Sequence, residues 1–412
     1  MVDHRPNPFV YGRVLAREDS ACARPEYERA ILTTVRDKGR LALVGDRRLG
    51  KSTLIERTLA SRGEPTLRVD FHGVLSFDDL VHRFAESLEE LLRQRSFVAK
   101  HVVPWLREVG LGLESIKLGF KGAEIALSTR VPTDQLVRLL GYVAAIAKRQ
   151  SFCLFIDEFQ EIQDRLPPKE GEAALGILRS EIQRLRIPCF FAGSARLSFI
   201  SLFTAERSPF FESARLLEIK PIPEGQFQSY LIAQFRRCSL TLSAEQAKSL
   251  LAIGADSPND VQHLAHETFN ACTGKVIEGA QIGAALAKIL GDITPFAEHH
   301  VDSLTLRQQR VLFIVALFEQ LGAGTREFHT LAGANAQSAI VKAVAPGLSG
   351  LDPLLEKVGS RYRVRSRYLR LWLATRKRQI QALIPQLRDD ERYAAALMQV
   401  CPRLPAELRV PA

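Results

Sequence analysis

One stretch limits what this chain can fold into more than any other: Leu41-Ala-Leu-Val-Gly45-Asp-Arg-Arg-Leu-Gly50-Lys51-Ser52-Thr53. A short apolar run leads into G-x-x-x-x-G-K-S, and a helical segment with apolar Leu54, Ile55 and Leu59 follows. Strand, glycine-bounded loop and helix in that order are the context a phosphate-binding loop requires. Gly45 and Gly50 let the backbone turn with its N–H groups facing inward, where a side chain would block a phosphate. Asp46, Arg47, Arg48, Leu49 and Thr53 complete the expected nucleotide-contacting loop, and the helix N-terminus adds partial positive charge. Lys51 is placed to reach the β- and γ-phosphates and the Ser52 hydroxyl to ligate Mg²⁺, so ATP and Mg²⁺ are the expected ligands. A chance match would leave the same residues in a surface turn.

A second stretch, Phe152-Cys-Leu-Phe-Ile156-Asp157-Glu158, reads as a buried strand with two acids at its C-terminal end. Ligands bind at that edge of an α/β sheet. Asp157 is the expected holder of the Mg²⁺ shell, and Glu158 the group that polarises the attacking water. Read alone, an acidic pair there is also what a helix N-terminus attracts. Between the two stretches, Thr66–Val69 reads as a strand, and Leu80, Val81, Phe84, Leu88 and Leu91 fall at helical spacing. Alternating strands and helices predict an α/β core with a parallel sheet.

The remaining parts of an ATPase core over residues 1–220 are less sharply written. Phe9, Val10 and Tyr11 precede the loop and either pack on adenine or cover the sheet edge. Residues 97–131 fit poorly, with Ile116–Leu127 reading as a hairpin or an exposed insertion; a helix resumes over Thr133–Lys148. The strand Pro188–Gly193 ends at Ser194, which either senses the γ-phosphate or starts the next helix. Arg215, before a last strand over Leu216–Ile219, is a candidate finger for a neighbouring subunit's nucleotide or an ordinary surface arginine.

Beyond Pro221 the pattern turns helical. Val261, Leu264, Ala265 and Phe269 share a helix face, and Pro258 suits that helix's first turn. Residues 221–290 are therefore expected to form a helical lid over the nucleotide. A linker is expected over Gly291–Ser303, with His299 and His300 solvated. Helices from Leu304, over Thr325–Leu331 and over Gln337–Val344, then a ribbon turning at Gly359-Ser360, give a winged helix-turn-helix plan over 300–378. Lys357 to Arg378 holds nine Lys/Arg residues and no acid. Arg361, Arg363, Arg365 and Arg367 alternate, so they could line a nucleic-acid backbone; the alternatives are a solvated face or a surface docking on the core or a partner. The 379–412 tail, with Leu383, Ile384 and Leu387, is expected to cap a neighbouring domain.

The net charge of +10 allows an acidic partner. Six widely spaced cysteines without a C-x-x-C pair argue for a reducing compartment without disulfides or zinc, so a cytoplasmic protein is expected. No apolar run approaches the roughly 18 residues of a membrane span.

Asn7-Pro8-Phe9, Arg47-Arg48, Ile156-Asp-Glu-Phe-Gln160, Gly193-Ser194 and Ser208-Pro209 together resemble the archaeal-type ATPase family, a branch of the AAA+ and signal-transducing P-loop ATPases. Tyr362-Arg-Val and Leu369-Arg-Leu-Trp372-Leu resemble that family's C-terminal winged helix. The resemblance spans residues 7–375 and implies a Mg²⁺-dependent ATPase with core, lid and winged helix. It also implies nucleotide-dependent oligomers working with an effector or nucleic acid. Two positions depart from the family pattern. Glu212-Ser213 stand where Gly-Arg is usual, and Ser366-Arg367 where Asp-Pro often follows the tyrosine. The leading expectation is a nucleotide-driven switch or remodeller that engages DNA. The alternatives are a signalling ATPase whose winged helix is autoinhibitory or docks a protein, and a partner-activated loader for a transposase or nuclease.

Overall fold

The computed structural model describes residues 6–16, 19–46, 48–94, 116–119, 122–125, 132–194, 197–255, 257–333, 340, 354–358, 361–405 and 408. The chain divides into two compact units, one of residues 16–18 and 23–220, the other of residues 1–15, 19–22 and 221–412.

The first unit alternates strand and helix as the periodicity requires. Its strands are β1 (Arg40–Val44), β2 (Thr66–Asp70), β3 (Ile116–Gly119), β4 (Gly122–Ile125), β5 (Cys153–Asp157), β6 (Cys189–Gly193) and β7 (Arg215–Glu218). Its helices are α1 (Pro25–Arg36), α2 (Lys51–Ser61), α3 (Phe77–Gln94), α4 (Pro132–Arg149), α5 (Glu161–Arg165), α6 (Pro168–Arg184) and α7 (Leu197–Thr204). Five strands form one sheet in the order β2-β5-β6-β1-β7, every pairing parallel. Alternate side chains leave each strand on opposite faces. Leu41, Leu43, Cys153, Phe155, Phe190 and Ala192 pack with Ile31, Ile55 and Leu59 of α1 and α2. Ala42, Leu154, Ile156, Cys189 and Phe191 pack with Leu80, Phe84, Leu139 and Leu178 of α3, α4 and α6. Because both faces are covered, β5 and β6 are buried at every position, which is why their sequences run apolar without alternation. β3 and β4 pair antiparallel as a separate hairpin, so Ile116–Leu127 contains the hairpin expected there; the other residues of 97–131 up to 131 lie outside the described residues.

The second unit holds α8 (Glu224–Arg237), β8 (Thr241–Leu242), α9 (Ala244–Gly254), α10 (Pro258–Asn270), β9 (Val276–Ile277), α11 (Gly279–Asp302), α12 (Leu306–Leu317), α13 (Arg326–Ala332), β10 (Leu355–Val358), β11 (Arg361–Val364), α14 (Arg367–Ala374), α15 (Lys377–Leu383) and α16 (Asp390–Val400). Four expectations change here. Residues 221–290 are not all helical, since β8 and β9 pair in parallel. The expected linker is the second half of α11: Ile289, Leu290, Ala297 and Val301 keep the buried helical spacing across Pro295. The Thr294 hydroxyl donates to the Leu290 carbonyl at 2.7 Å and accepts from Trp372 Nε1 at 2.9 Å, tying this turn to α14. The presumed tail is core: Tyr393, Leu397, Val400 and Leu404 are buried in the cluster that holds Leu264, Leu286, Phe313 and Trp372. Phe9 belongs to that cluster too, its ring 4.7 Å from Phe235, while Tyr11 stacks on His263 at 3.9 Å. The N-terminal aromatics therefore complete the core of the second unit.

Of the winged-helix plan, α12, α13 and the antiparallel ribbon β10–β11 are present. The helix expected over Gln337–Val344 and the turn at Gly359-Ser360 lie outside the described residues, Ile340 excepted.

Candidate active site

The site forms where β1, β5 and β6 end. β1 leads into the loop at Gly45, and α2 begins at Lys51. Gly50 caps that helix at φ 80°, and Arg48 also lies at positive φ, 66°. Such values favour glycine, which explains Gly50. Gly45 is required for a different reason: a Cβ there would lie 2.8 Å from the Ile219 carbonyl oxygen, where β7 runs past. Leu49 is buried and its carbonyl accepts from Arg24 at 2.9 Å, which braces the loop from α1's N-terminal end. Asp46 and Arg48 are exposed, Thr53 is half-buried, and Arg47 lies outside the described residues. Lys51 is buried and its Nζ donates to the carbonyls of Gly45 at 2.9 Å and Asp46 at 3.0 Å. The ammonium thus lies within the curl of the loop, where a phosphate chain would meet it.

Across from the loop, β5 delivers Asp157, which is 4% exposed. Burial pushes its carboxyl above the usual carboxylate range, opposed first by a hydrogen bond with Ser52 and also by the charge of Arg68. Ser52 and Asp157, far apart in sequence, therefore meet. Arg68 on β2 sits 3.2 Å from Asp157 Oδ2, 3.3 Å from Asp70 Oδ2 and 3.0 Å from Glu56 Oε1. Sequence reasoning missed it, although an arginine in a strand beside Leu67 and Val69 signals a cation needed near buried acid. Glu56 is itself pushed up by burial, against the pull of Arg68.

Glu158 follows with φ 48°, an uncommon backbone for a residue with a Cβ. Its Oε2 accepts from Gln160 Nε2 at 2.6 Å, and the same nitrogen lies 3.4 Å from Ser194 Oγ at the end of β6. Glu158 and Ser194 are thus joined through Gln160. Arg215 does not join them within this chain. It opens β7 opposite Leu41, at the other end of β1 from the loop, and is exposed.

The basic run is corrected in part. Arg367 is buried, and its guanidinium donates to the carbonyls of Ile253 at 2.7 Å, Ala252 at 3.1 Å and Val400 at 3.1 Å. It ties two helix C-termini together and is not available to a phosphate backbone. Arg370 pairs with Glu319, Arg376 lies 3.9 Å over the Trp372 ring, and Lys377 pairs with Asp390 at 3.0 Å. Arg361 is exposed; Arg363 and Arg365 are half-buried.

A triphosphate with Mg²⁺ fits the residues present. The loop is walled by backbone that a Cβ at Gly45 would strike, and a buried lysine, a serine hydroxyl and a buried carboxylate converge on it. No helix among the described residues is long and apolar enough to cross a membrane.

Residues 35–200 match the family described as "AAA domain". No curated protein matches the chain by sequence. Among solved structures, a Walker-type ATPase of Pyrococcus abyssi aligns at TM-score 0.57 and 16% identity, over 88% of this chain and 98% of that one. The ORC1 protein of Aeropyrum pernix, solved in complex with DNA, aligns at TM-score 0.48 and 12% identity over 89% and 96%. Cdc6p of Pyrobaculum aerophilum aligns at 0.45 and 13% over 92% and 97%. With a five-stranded parallel sheet, a phosphate loop and an acid-tipped strand in one unit, the first unit has the fold of a P-loop ATPase, and its residues 35–200 are similar to the AAA domain.

Proposed function

We propose that this ATPase is a Mg²⁺-dependent, nucleotide-driven switch that engages DNA through its basic ribbon. The observation that carries the chemistry is the meeting of Ser52 with Asp157 beneath a loop whose Lys51 is buried. Ser52 and Asp157 would hold Mg²⁺, which would neutralise charge on the β- and γ-phosphate oxygens. Lys51 exchanges its bonds to the Gly45 and Asp46 carbonyls for the phosphates. Glu158 orients the water and accepts its proton as the γ-phosphate leaves ADP, and Ser194 senses the γ-phosphate. Lys51→Ala removes nucleotide binding. Glu158→Gln keeps ATP bound and stops turnover, because the cradle survives and the base does not. Turnover at the parent rate in Glu158→Gln would refute the assignment.

Exposed Arg361 and half-buried Arg363 lie two residues apart on β11, on one side of the ribbon, which supports a phosphate-backbone contact. Duplex affinity then falls with salt, and Arg361→Ala lowers the slope of log K against log salt by about 1. Binding that is absent, or indifferent to salt, favours the second reading, in which this face docks a protein or holds the ATPase inactive. The pairing of Arg370, Arg376 and Lys377 with groups of their own unit supports that alternative. Arg215, exposed on the edge strand β7, would complete a neighbouring copy's site, so specific activity should rise with protein concentration. A flat dilution series would leave a monomer acting alone.

A further inference from the structure

Gln160 is 0% exposed, yet its amide is poorly repaid for being there. Its Oε1 is buried and finds no hydrogen-bond partner, and the bonds of its Nε2 go to Glu158 and Ser194. A buried amide with one end unsatisfied destabilises a core, and an apolar side chain of the same volume would be tolerated better. Stability therefore does not explain a glutamine here. The surroundings are built to admit it all the same. A Cβ on Gly193 would lie 2.3 Å from Gln160 Oε1 and 2.1 Å from the Phe199 ring, so the end of β6 is kept bare beside the amide.

What the amide does is fix a carboxylate. Glu158 stands on a backbone at φ 48°, held by its N–H to Asp157 Oδ1 at 3.1 Å. Strain of this kind persists only where neighbours over-determine it, and it concentrates at functional sites. With Oε2 engaged at 2.6 Å, the other carboxylate oxygen is the one presented to water. The orientation of the amide follows from charge: turned around, it would set a carbonyl oxygen against the carboxylate.

We propose that Gln160 is a positioning residue for hydrolysis: its amide clamps one oxygen of Glu158, couples that carboxylate to Ser194 at the end of β6, and leaves the second oxygen aimed at the attacking water. The inference rests on Glu158 being the base, as proposed above. Gln160→Met keeps length and volume and removes the donor. The expected result is a kcat lower by roughly 10- to 100-fold, since small misplacements of a catalytic group cost this much, with KM and ATP affinity unchanged and the thermal midpoint at or above the parent's. In a Glu158→Gln background, residual single-turnover hydrolysis should not fall further on adding Gln160→Met, because the clamp then has no carboxylate to aim.

Three results overturn the proposal: parent-like turnover in Gln160→Met, a loss that appears in ATP affinity or KM, or a full additional loss in the Glu158→Gln background. Parent-like turnover in Glu158→Gln alone is a separate outcome and removes the reading beneath it.

Discussion

Replacing Arg367 with methionine separates a structural arginine from a DNA-reading one. The native guanidinium reaches three carbonyls, those of Ala252 and Ile253 near the end of α9 and of Val400 at the end of α16. Helix C-termini leave such carbonyls without intrahelical partners, and a buried cation there also opposes the negative end of the helix dipole. Methionine fills similar volume but strands the Ile253 and Val400 carbonyls, each costing about 1–3 kcal/mol where buried, while Ala252 keeps the Ala255 N–H. Part of that loss is returned, because the guanidinium no longer has to be desolvated; burial already pushes the Arg367 pKa down. The net destabilisation is about 3 kcal/mol. For a unit of this size that corresponds to a fall in thermal midpoint of roughly 6–12 °C. Fluorescence of Trp372, five residues away and 2% exposed, reports the transition, alongside circular dichroism. Arg367→Lys should fall between, since one ammonium cannot span all three acceptors. Duplex affinity of the folded variant should keep the parent's salt slope. A midpoint equal to the parent's, or a reduced slope without destabilisation, would refute the argument.

Gly45→Ala should destabilise the first unit by about 1–3 kcal/mol, because the new methyl meets the Ile219 carbonyl and pushes β7 from β1. Gly50→Ala has open space but must hold φ 80°, so it should cost about 1–2 kcal/mol; urea midpoints that match the parent's would contradict either claim. Burial pushes the Cys153 and Cys189 thiols up to about 12. They stay protonated in the fold while the unfolded chain loses these protons above about pH 8.5, so the unfolded state binds fewer protons and stability falls as pH rises. The slope should approach roughly 1.4 kcal/mol per thiol per pH unit and vanish in Cys153→Ala/Cys189→Ala; denaturation curves at neutral and alkaline pH decide it. Iodoacetamide should label partly exposed Cys272 in the native protein and spare Cys153 and Cys189; prompt labelling of either strand cysteine would show that β5 or β6 opens.

The parts of this chain that were legible in sequence are those whose structure is local. The phosphate loop is one contiguous strand-loop-helix, and β5 writes its burial as an unbroken apolar run before Asp157. Five strands were readable for the same reason. What sequence could not give is where a long side chain turns once the helices pack. Arg361 and Arg367 look alike in an alternating basic run, yet one ends in solvent and the other on three carbonyls. Gly291–Ser303 reads as a linker, while the helix continues there because Leu290, Ala297 and Val301 hold its buried face together. Arg68 and Gln160 act across strands, and no spacing along the chain shows that.

The assignment of residues 1–15 to the unit completed by residues 221–412 bears on how the chain is made. Phe9 is made before His266, yet its carbonyl meets the ring of that residue, 257 positions later. At cellular synthesis rates that interval is roughly 13–50 s. Throughout it, Phe9 and Tyr11 are an apolar segment whose packing partners are not yet made, while the intervening sheet has everything it needs to close. Nascent chains stalled between these two points should therefore carry a finished nucleotide-binding half preceded by an unburied apolar segment that invites a chaperone.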